Sequence, residues 1–287
     1  GRIIKGVNAQ AKTPAWMTQC LERSGLRSIS ALVDISNYVM LELNRPNHIF
    51  DLGTVQGGLT VRWANDQEKL TLLGGEEVTL DHRYGVITDE GGAISLAGIM
   101  GGEASGCDEN TTDVLIESAL WDPLTIARAG RNLGIVSDAR YRFERGVDPQ
   151  NTVNCLEYLS ALIIEVCGGH AGPVDDQVLN VPERKPVKMR LARAEKVIGI
   201  PLTKEIITDV FKRLGFEFKQ EGDAFIVTPP SYRFDIEIEE DLIEEVARMY
   251  GFENIPDQPP VASLKMSAKD EAKRGIHLLR HRLALEG

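Results

Sequence analysis

Positive charge, patterned cysteine and long apolar runs are all scarce in this chain, and each shortage closes off a class of function. Against 43 Asp and Glu stand only 32 Lys and Arg, a formal net charge of −11. A protein that grips nucleic acid mainly through phosphates needs a basic surface, so any RNA contact must be local and DNA is not an expected partner. The four cysteines, Cys20, Cys107, Cys155 and Cys167, show no C-x-x-C spacing, which argues against zinc and leaves buried free thiols in a cytoplasmic protein. No apolar run approaches the roughly 20 residues of a membrane span, and no basic-then-apolar leader opens the chain, so no membrane contact is expected. Also missing are a G-x-S-x-G elbow, an H-E-x-x-H pair and a P-loop, so serine-hydrolase, zinc-protease and ATP-site chemistries have no foothold.

What remains is an ordinary globular composition, 43% hydrophobic and 26% charged over 287 residues, long enough for two domains with a core each. Residues 13–43 read as two helices, the first opened by Thr13-Pro14 and the second capped by Ser30. From Gly57 to Trp121 the period switches to two, and six short strands alternate with glycine turns. A helix spans about 123–133, and Asp148 with Pro149 at the first position opens a longer one that Gly168-Gly169 stops. Residues 171–187 carry Pro173, Pro182 and Pro186 among few apolar residues and mark a boundary. Beyond them a strand, two helices, a hairpin around Glu221-Gly222-Asp223 and a third helix suggest a compact module of winged-helix character. The class is α+β: a domain of mixed helices and short strands at 1–175, a smaller one at 186–257, and at 258–287 a helical connection from Ser267 onward. The chain starts and stops mid-pattern and reads as an internal piece of a longer protein.

Seven carboxylates fall between Asp235 and Glu245 with no basic residue among them. From Ile238 on, the apolar period is helical, with Leu242, Val246 and Tyr250 on one side. Asp241, Glu244 and Glu245 share another face, and Asp235 lies just ahead of the first turn. Such a cluster is either an acidic helix start with a solvated face or a set of hard oxygen ligands suited to Mg²⁺, in which case a cation or basic partner must sit among them.

Four segments of the first domain carry polar residues where packing alone would choose otherwise. Ser36 and Asn37 interrupt an apolar helix, and His48 follows the helix-ending Pro46. Gly101-Gly102 forms a turn after a strand, and Glu117 ends the apolar run Val114-Leu-Ile-Glu. Singly, each has a plain structural reading: hydroxyls and amides bond back to helices, and paired glycines make turns. Glu117 could face solvent through strand alternation; buried, it would be expensive without a partner. Arg128, Arg131, Arg140, Arg142 and Arg145 could steer phosphate, or pair with Asp138, Glu144 and Asp148.

Several runs together resemble a known family. These are Ser28-Ile-Ser, Asp34-Ile-Ser-Asn-Tyr-Val-Met-Leu-Glu-Leu, His48-Ile-Phe-Asp-Leu, Gly98-Ile-Met-Gly-Gly-Glu, Val114-Leu-Ile-Glu and Arg142-Phe-Glu-Arg-Gly-Val-Asp-Pro, followed by the acidic helix. In order and spacing they are similar to the editing module and fifth domain of the bacterial phenylalanine–tRNA ligase beta chain. The resemblance implies hydrolysis of tyrosyl-tRNA(Phe), with Glu117 accepting the tyrosine phenol and His48, Asn37 and Ser36 holding the aminoacyl end and the attacking water. Gly101 would leave room for the substrate, and Ser137 and Ala139 would line the ring pocket. Ser36 and Ser137 depart from the threonine common there but keep a hydroxyl. Asp235, Asp241, Glu244 and Glu245 would bind Mg²⁺ near an alpha-chain contact. Partners would be the alpha chain, in a heterotetramer of two chains of each kind, and tRNA(Phe). ATP would belong to the parent enzyme and not to this chain. The alternative is a non-catalytic scaffold for alpha-chain assembly and tRNA binding.

Overall fold

A computed structural model describes residues 1–257, 259, 262–263 and 275–287. The chain opens with β1 (Arg2–Lys5), α1 (Ala15–Arg23), α2 (Ala31–Leu43) and β2 (His48–Asp51). A run of strands follows: β3 (Thr60–Trp63), β4 (Glu68–Thr71), β5 (Glu77–Leu80), β6 (Gly85–Asp89), β7 (Gly92–Leu96), β8 (Met100–Gly101) and β9 (Asp113–Glu117). Then come α3 (Pro123–Leu133), α4 (Asp138–Phe143), α5 (Thr152–Cys167) and β10 (His170–Ala171). The remainder holds β11 (Val187–Arg190), α6 (Leu191–Ile198), α7 (Lys204–Arg213), β12 (Glu217–Glu221), β13 (Ala224–Thr228), α8 (Glu239–Tyr250) and α9 (Ile276–Glu286). This is an α+β chain, and none of its described helices is long and apolar enough to cross a membrane.

The strands pair antiparallel in the orders β10-β1-β9-β2, β3-β6-β7-β8 and β11-β13-β12, with β4 and β5 as a separate ribbon. Alternation along β9 and β2 divides their side chains. Val114, Ile116 and Ile49 join Leu32, Ile35, Val39, Leu159 and Ile163 of α2 and α5 in one core. Phe50 and Leu115 point the other way, into a small cluster with Ile87 and Ala97. Each aliphatic side chain fully buried in this way contributes about 1.5–3 kcal/mol. Residues 187–246 form a core of their own around Phe211 and Phe225, with a three-stranded sheet, α6, α7 and α8.

Several termini follow their cap chemistry. Thr203 accepts from Ile206 N at the start of α7, and Asp122 accepts from Thr125 N at the start of α3. Two expectations are corrected. Ser30 precedes α2 but its hydroxyl makes no cap bond; buried Asp34 instead takes Ile29 N at 2.9 Å, Ser28 Oγ at 2.6 Å and Thr13 Oγ1 at 2.5 Å. Asp148 does cap, accepting Gln150 N at 2.9 Å, but Pro149–Asn151 is a 3₁₀ turn and α5 begins only at Thr152. Of the helix expected from Ser267, Lys269, Asp270, Glu271 and Lys273 lie outside the described residues, whereas Leu278, Leu279 and Leu283 fall on α9.

Candidate functional site

One register decides what the first domain can do. β2 and β9 pair so that His48 stands directly opposite Glu117, with Phe50 opposite Leu115. Directly opposed residues of antiparallel strands project from the same face with Cβ atoms about 5 Å apart. An imidazole and a carboxylate 69 residues apart in sequence are thus neighbours, set by backbone pairing and not by flexible loops. They border a cavity of about 300 Å³ that Ser36, Asn37, Gly101, Ser137 and Ala139 also line. That volume is at the small end of ligand sites and suits a single aromatic aminoacyl group.

Both titratable groups are displaced by burial. The His48 ring packs edge-on against Phe50 with centroids 4.3 Å apart, its Nε2 is buried without a hydrogen-bond partner, and burial lowers its pKa to about 4. Burial raises the Glu117 carboxyl to about 7, against the opposing pull of Arg45 and the Gly1 amine. Near neutrality the site therefore holds a neutral imidazole and a carboxyl balanced between its two forms. Asn47, beside His48, leaves its Oδ1 buried and unpaired while its amide donates to Ser36 O at 3.2 Å. Two orphaned polar atoms at one cavity wall call for a polar ligand or water. In the sequence Asn47, within Arg45-Pro-Asn-His, carries no signal beyond adjacency to His48.

The glycines and Ser137 hold this geometry. A Cβ on Gly101 would run into His48 Cε1 and stand 2.8 Å from its Nε2. The missing side chain makes room for the imidazole, and Gly101 lines the cavity as well. On Gly102 a Cβ would strike Ile94 O, the acceptor of Gly102 N at 2.9 Å, so β8 can lie close to β7 only with glycine there. Ser137 spends its hydroxyl structurally: Oγ donates to Ile99 O at 2.7 Å and accepts from Arg140 N at 3.0 Å, capping α4 and presenting Ala139 to the cavity.

Comparison with known proteins now adds a family. The B3/4 domain family matches residues 1–168, and the tRNA synthetase B5 domain matches residues 187–252. The chain is 58% identical over 284 residues to the phenylalanine–tRNA ligase beta subunit of Ralstonia nicotianae, 99% of this chain and 35% of that protein. It is 55% identical over 288 residues to that of Cupriavidus pinatubonensis, with the same coverage. The chain belongs to the B3/4 domain family of phenylalanine–tRNA ligase beta subunits. It spans about a third of the length of the curated relatives it matches. Among solved structures, an N-terminal fragment of the phenylalanyl-tRNA synthetase beta subunit from Pyrococcus horikoshii aligns at TM-score 0.40 and 18% identity, covering 87% of this chain and 69% of that one.

In the B5 part, the acidic helix α8 answers its charge with arginine. Arg233, two residues ahead of the acidic run, donates Nε to Asp235 Oδ1 at 2.9 Å and Nη2 to Asp235 Oδ2 at 2.7 Å and Glu245 Oε1 at 3.0 Å. Arg248 takes Glu245 Oε2 at 2.5 Å. Asp241 caps the helix, its Oδ2 accepting Glu237 N and Ile238 N at 2.8 Å each, while Glu244 is exposed. Of the four carboxylates expected around Mg²⁺, only Asp235 and Glu245 are brought together, by a guanidinium that occupies oxygens of both. Among the described residues no group of three or more His, Cys, Asp or Glu could hold a metal, so this donor arrangement does not fit the ion. The arginines around α4 are likewise paired: Arg140 and Arg145 with Glu144 at 3.0 and 2.7 Å, and Arg142 with Asp138 at 2.9 Å. Asp148 takes none of them as an ion pair; its carboxylate caps, and its carbonyl accepts from Arg45.

Two stability predictions arise here. Glu245 has a side chain only 7% exposed, and although burial works against its ionisation, Arg233 and Arg248 hold it below the usual carboxylate range. Arg233 does the same to Asp235. Arg233→Ala is expected to cost about 2 kcal/mol near neutrality by leaving a buried charge half-paired. Because both carboxyls are depressed, that loss is present above their unfolded values and fades as pH falls through the folded ones. Thermal melts of both proteins at pH steps check this, and an undiminished gap in acid would contradict it.

The second concerns the cavity. His48, lowered from 6.5 to about 4, stabilises fully above 6.5 and loses that contribution as pH falls toward 4. Glu117, raised from 4.5 to about 7, behaves oppositely, losing stability as pH rises from 4.5 to 7. Across the shared interval the two slopes offset. Glu117→Gln should unmask the histidine, making stability rise with pH by up to about 1.4 kcal/mol per unit relative to wild type. Parallel wild-type and Glu117→Gln curves would show that the Glu117 carboxyl is not shifted by burial.

Proposed function

We propose that this chain carries the editing step of a phenylalanine–tRNA ligase: hydrolysis of the tyrosyl ester from mischarged tRNA(Phe). The observation that carries the reading is the cross-strand placement of His48 against Glu117 in the wall of an aminoacyl-sized cavity. Phenylalanine and tyrosine differ by one hydroxyl, and an apolar synthetic pocket rejects an added hydroxyl by only about a hundredfold, so a second sieve is useful. Glu117 supplies it. A tyrosine phenol donates to the carboxylate, whereas a bare phenyl ring leaves that buried charge unpaired, at a cost of about 1–3 kcal/mol.

The chemistry needs no protein nucleophile. Cys107 lines the cavity, but burial pushes its thiol up to about 12, so no thiolate forms near neutrality. Water attacks the ester carbonyl; the acyl–oxygen bond breaks, the ribose oxygen leaves and takes a proton, and tyrosine departs as the free acid. The neutral His48 imidazole, its Nε2 without a protein partner, orients that water, with Asn37 and Ser36 beside it on α2 to hold the aminoacyl end. The alpha chain and tRNA(Phe) are the partners this function implies, and aminoacylation with ATP belongs to that assembly in the cytoplasm.

The test is direct. Incubation of this chain with tyrosyl-tRNA(Phe) releases tyrosine faster than phenylalanine is released from phenylalanyl-tRNA(Phe). No release of either favours a non-catalytic scaffold for alpha-chain assembly.

A further inference from the structure

Arg45 heads the largest fully buried side chains, 1% exposed, and the hydrolytic reading leaves it without a task. It lies in the turn between α2 and β2, three residues before His48. Its guanidinium donates Nη1 to Asp148 O at 2.9 Å, Nε to Ser118 Oγ at 3.4 Å and Nη2 to Thr152 Oγ1. All three acceptors are neutral, and among the described residues Arg45 forms no ion pair. A buried cation without an adjacent anion is expensive and calls for a compensating charge nearby.

The Glu117 and Asp148 carboxylates are the acidic side chains whose charge acts on it. Ser118, whose hydroxyl rests on the guanidinium, is the residue after Glu117, and Glu117 accepts no hydrogen bond from any described group. We propose that Arg45 is a positioning residue whose buried charge opposes protonation of Glu117 and so favours its anionic, phenol-accepting form, a role that rests on the editing reading above. The two ions do not touch. The fork is fixed by a carbonyl and two hydroxyls, which leaves the carboxylate oxygens open to the substrate while the field of the cation still reaches them. Two further charges face the pair: the Asp148 carboxylate also pulls on Arg45, and the Gly1 amine also pulls on Glu117. His48, across the register, is held neutral by burial, and the Cys155 thiol on α5 is pushed up by burial. The Asp148 carboxylate bonds Gln150 N, and the Gly1 amine donates to Asp175 O at 2.7 Å.

The experiment separates charge from hydrogen bonding. Carbon-13 NMR on the full chain follows the Glu117 carboxyl through its titration, assigned by Glu117→Gln. Arg45→Gln, which keeps donors but loses charge, is expected to raise the midpoint by about one pH unit. The pH at which tyrosyl ester becomes preferred over phenylalanyl ester should move with it. Arg45→Lys, which keeps charge but loses the fork, should leave the midpoint near the wild-type value. An unmoved midpoint in Arg45→Gln overturns the proposal. If that variant does not fold, Arg45→Lys decides, and a rise of about a unit despite the retained charge overturns it equally. Wild-type hydrolysis with an unmoved midpoint sinks the role of Arg45 alone, whereas absence of hydrolysis removes the editing reading itself.

Discussion

In Glu117→Ala, hydrolysis of tyrosyl-tRNA(Phe) is expected to fall by about 10–100-fold, while hydrolysis of phenylalanyl-tRNA(Phe) is not slowed. A hydrogen bond from a neutral donor to a buried carboxylate is worth about 1.5–3 kcal/mol, and each 1.36 kcal/mol is tenfold in rate. Phenylalanine has no hydroxyl to place, so it loses nothing; it gains, because its ring no longer strands a charge. The two effects have opposite signs, and discrimination therefore collapses further than the tyrosine rate alone. A pH dependence sharpens the test. Burial holds the Glu117 carboxyl at about 7, so the wild-type preference for tyrosine should grow as pH rises through neutrality and the charged acceptor becomes dominant. In Glu117→Gln the preference should be weaker and flat with pH. His48, held at about 4, contributes no break near 6.5 in either profile. Ratios of kcat/KM for the two esters across this range check the claim, and a Glu117→Ala chain that still prefers tyrosine would sink it.

The parts of this arrangement that could be read in the sequence were those fixed by local chemistry. Val114-Leu-Ile-Glu announces a strand by itself, α3 and α7 carry their caps, and α8 shows its four-residue period and its stop at Gly251. β2 was not legible. It has four residues behind Pro46, too few for a period, and it exists because β9 supplies its hydrogen bonds from a distance. For the same reason the opposition of His48 and Glu117 could not be derived from composition or spacing: register is a long-range property. Charge balance escaped in both domains. Arg233 stands two residues outside the acidic run it neutralises, and Arg45 looks like any arginine in a turn until α5 and Ser118 close over it.

Gly101, expected to leave room for the substrate, lies against the His48 ring and yields the second large effect. Gly101→Ala places a methyl against the His48 ring, with Leu73 Cδ1 3.2 Å away on the other flank. The backbone at Gly101 lies outside the left-handed region, so alanine meets no conformational penalty there, and the conflict is with the imidazole first and with Leu73 to a lesser degree. Overpacking of this kind costs about 1–3 kcal/mol, relieved here by swinging His48 off its place against Phe50. A displacement of about 1 Å in a group proposed to orient the reacting water is worth about a hundredfold in rate. Gly101→Ala is therefore expected to fold, to melt a few degrees lower, and to lose about a hundredfold in kcat for tyrosyl ester. Its ratio of tyrosine to phenylalanine release should survive, because Glu117 is untouched. On the proposed reading that split separates the two residues: Glu117 would change which ester is cleaved, and Gly101, through His48, how fast. If Gly101→Ala cleaves at the wild-type rate, the imidazole is not positioned by the glycine and has no part in orienting the water.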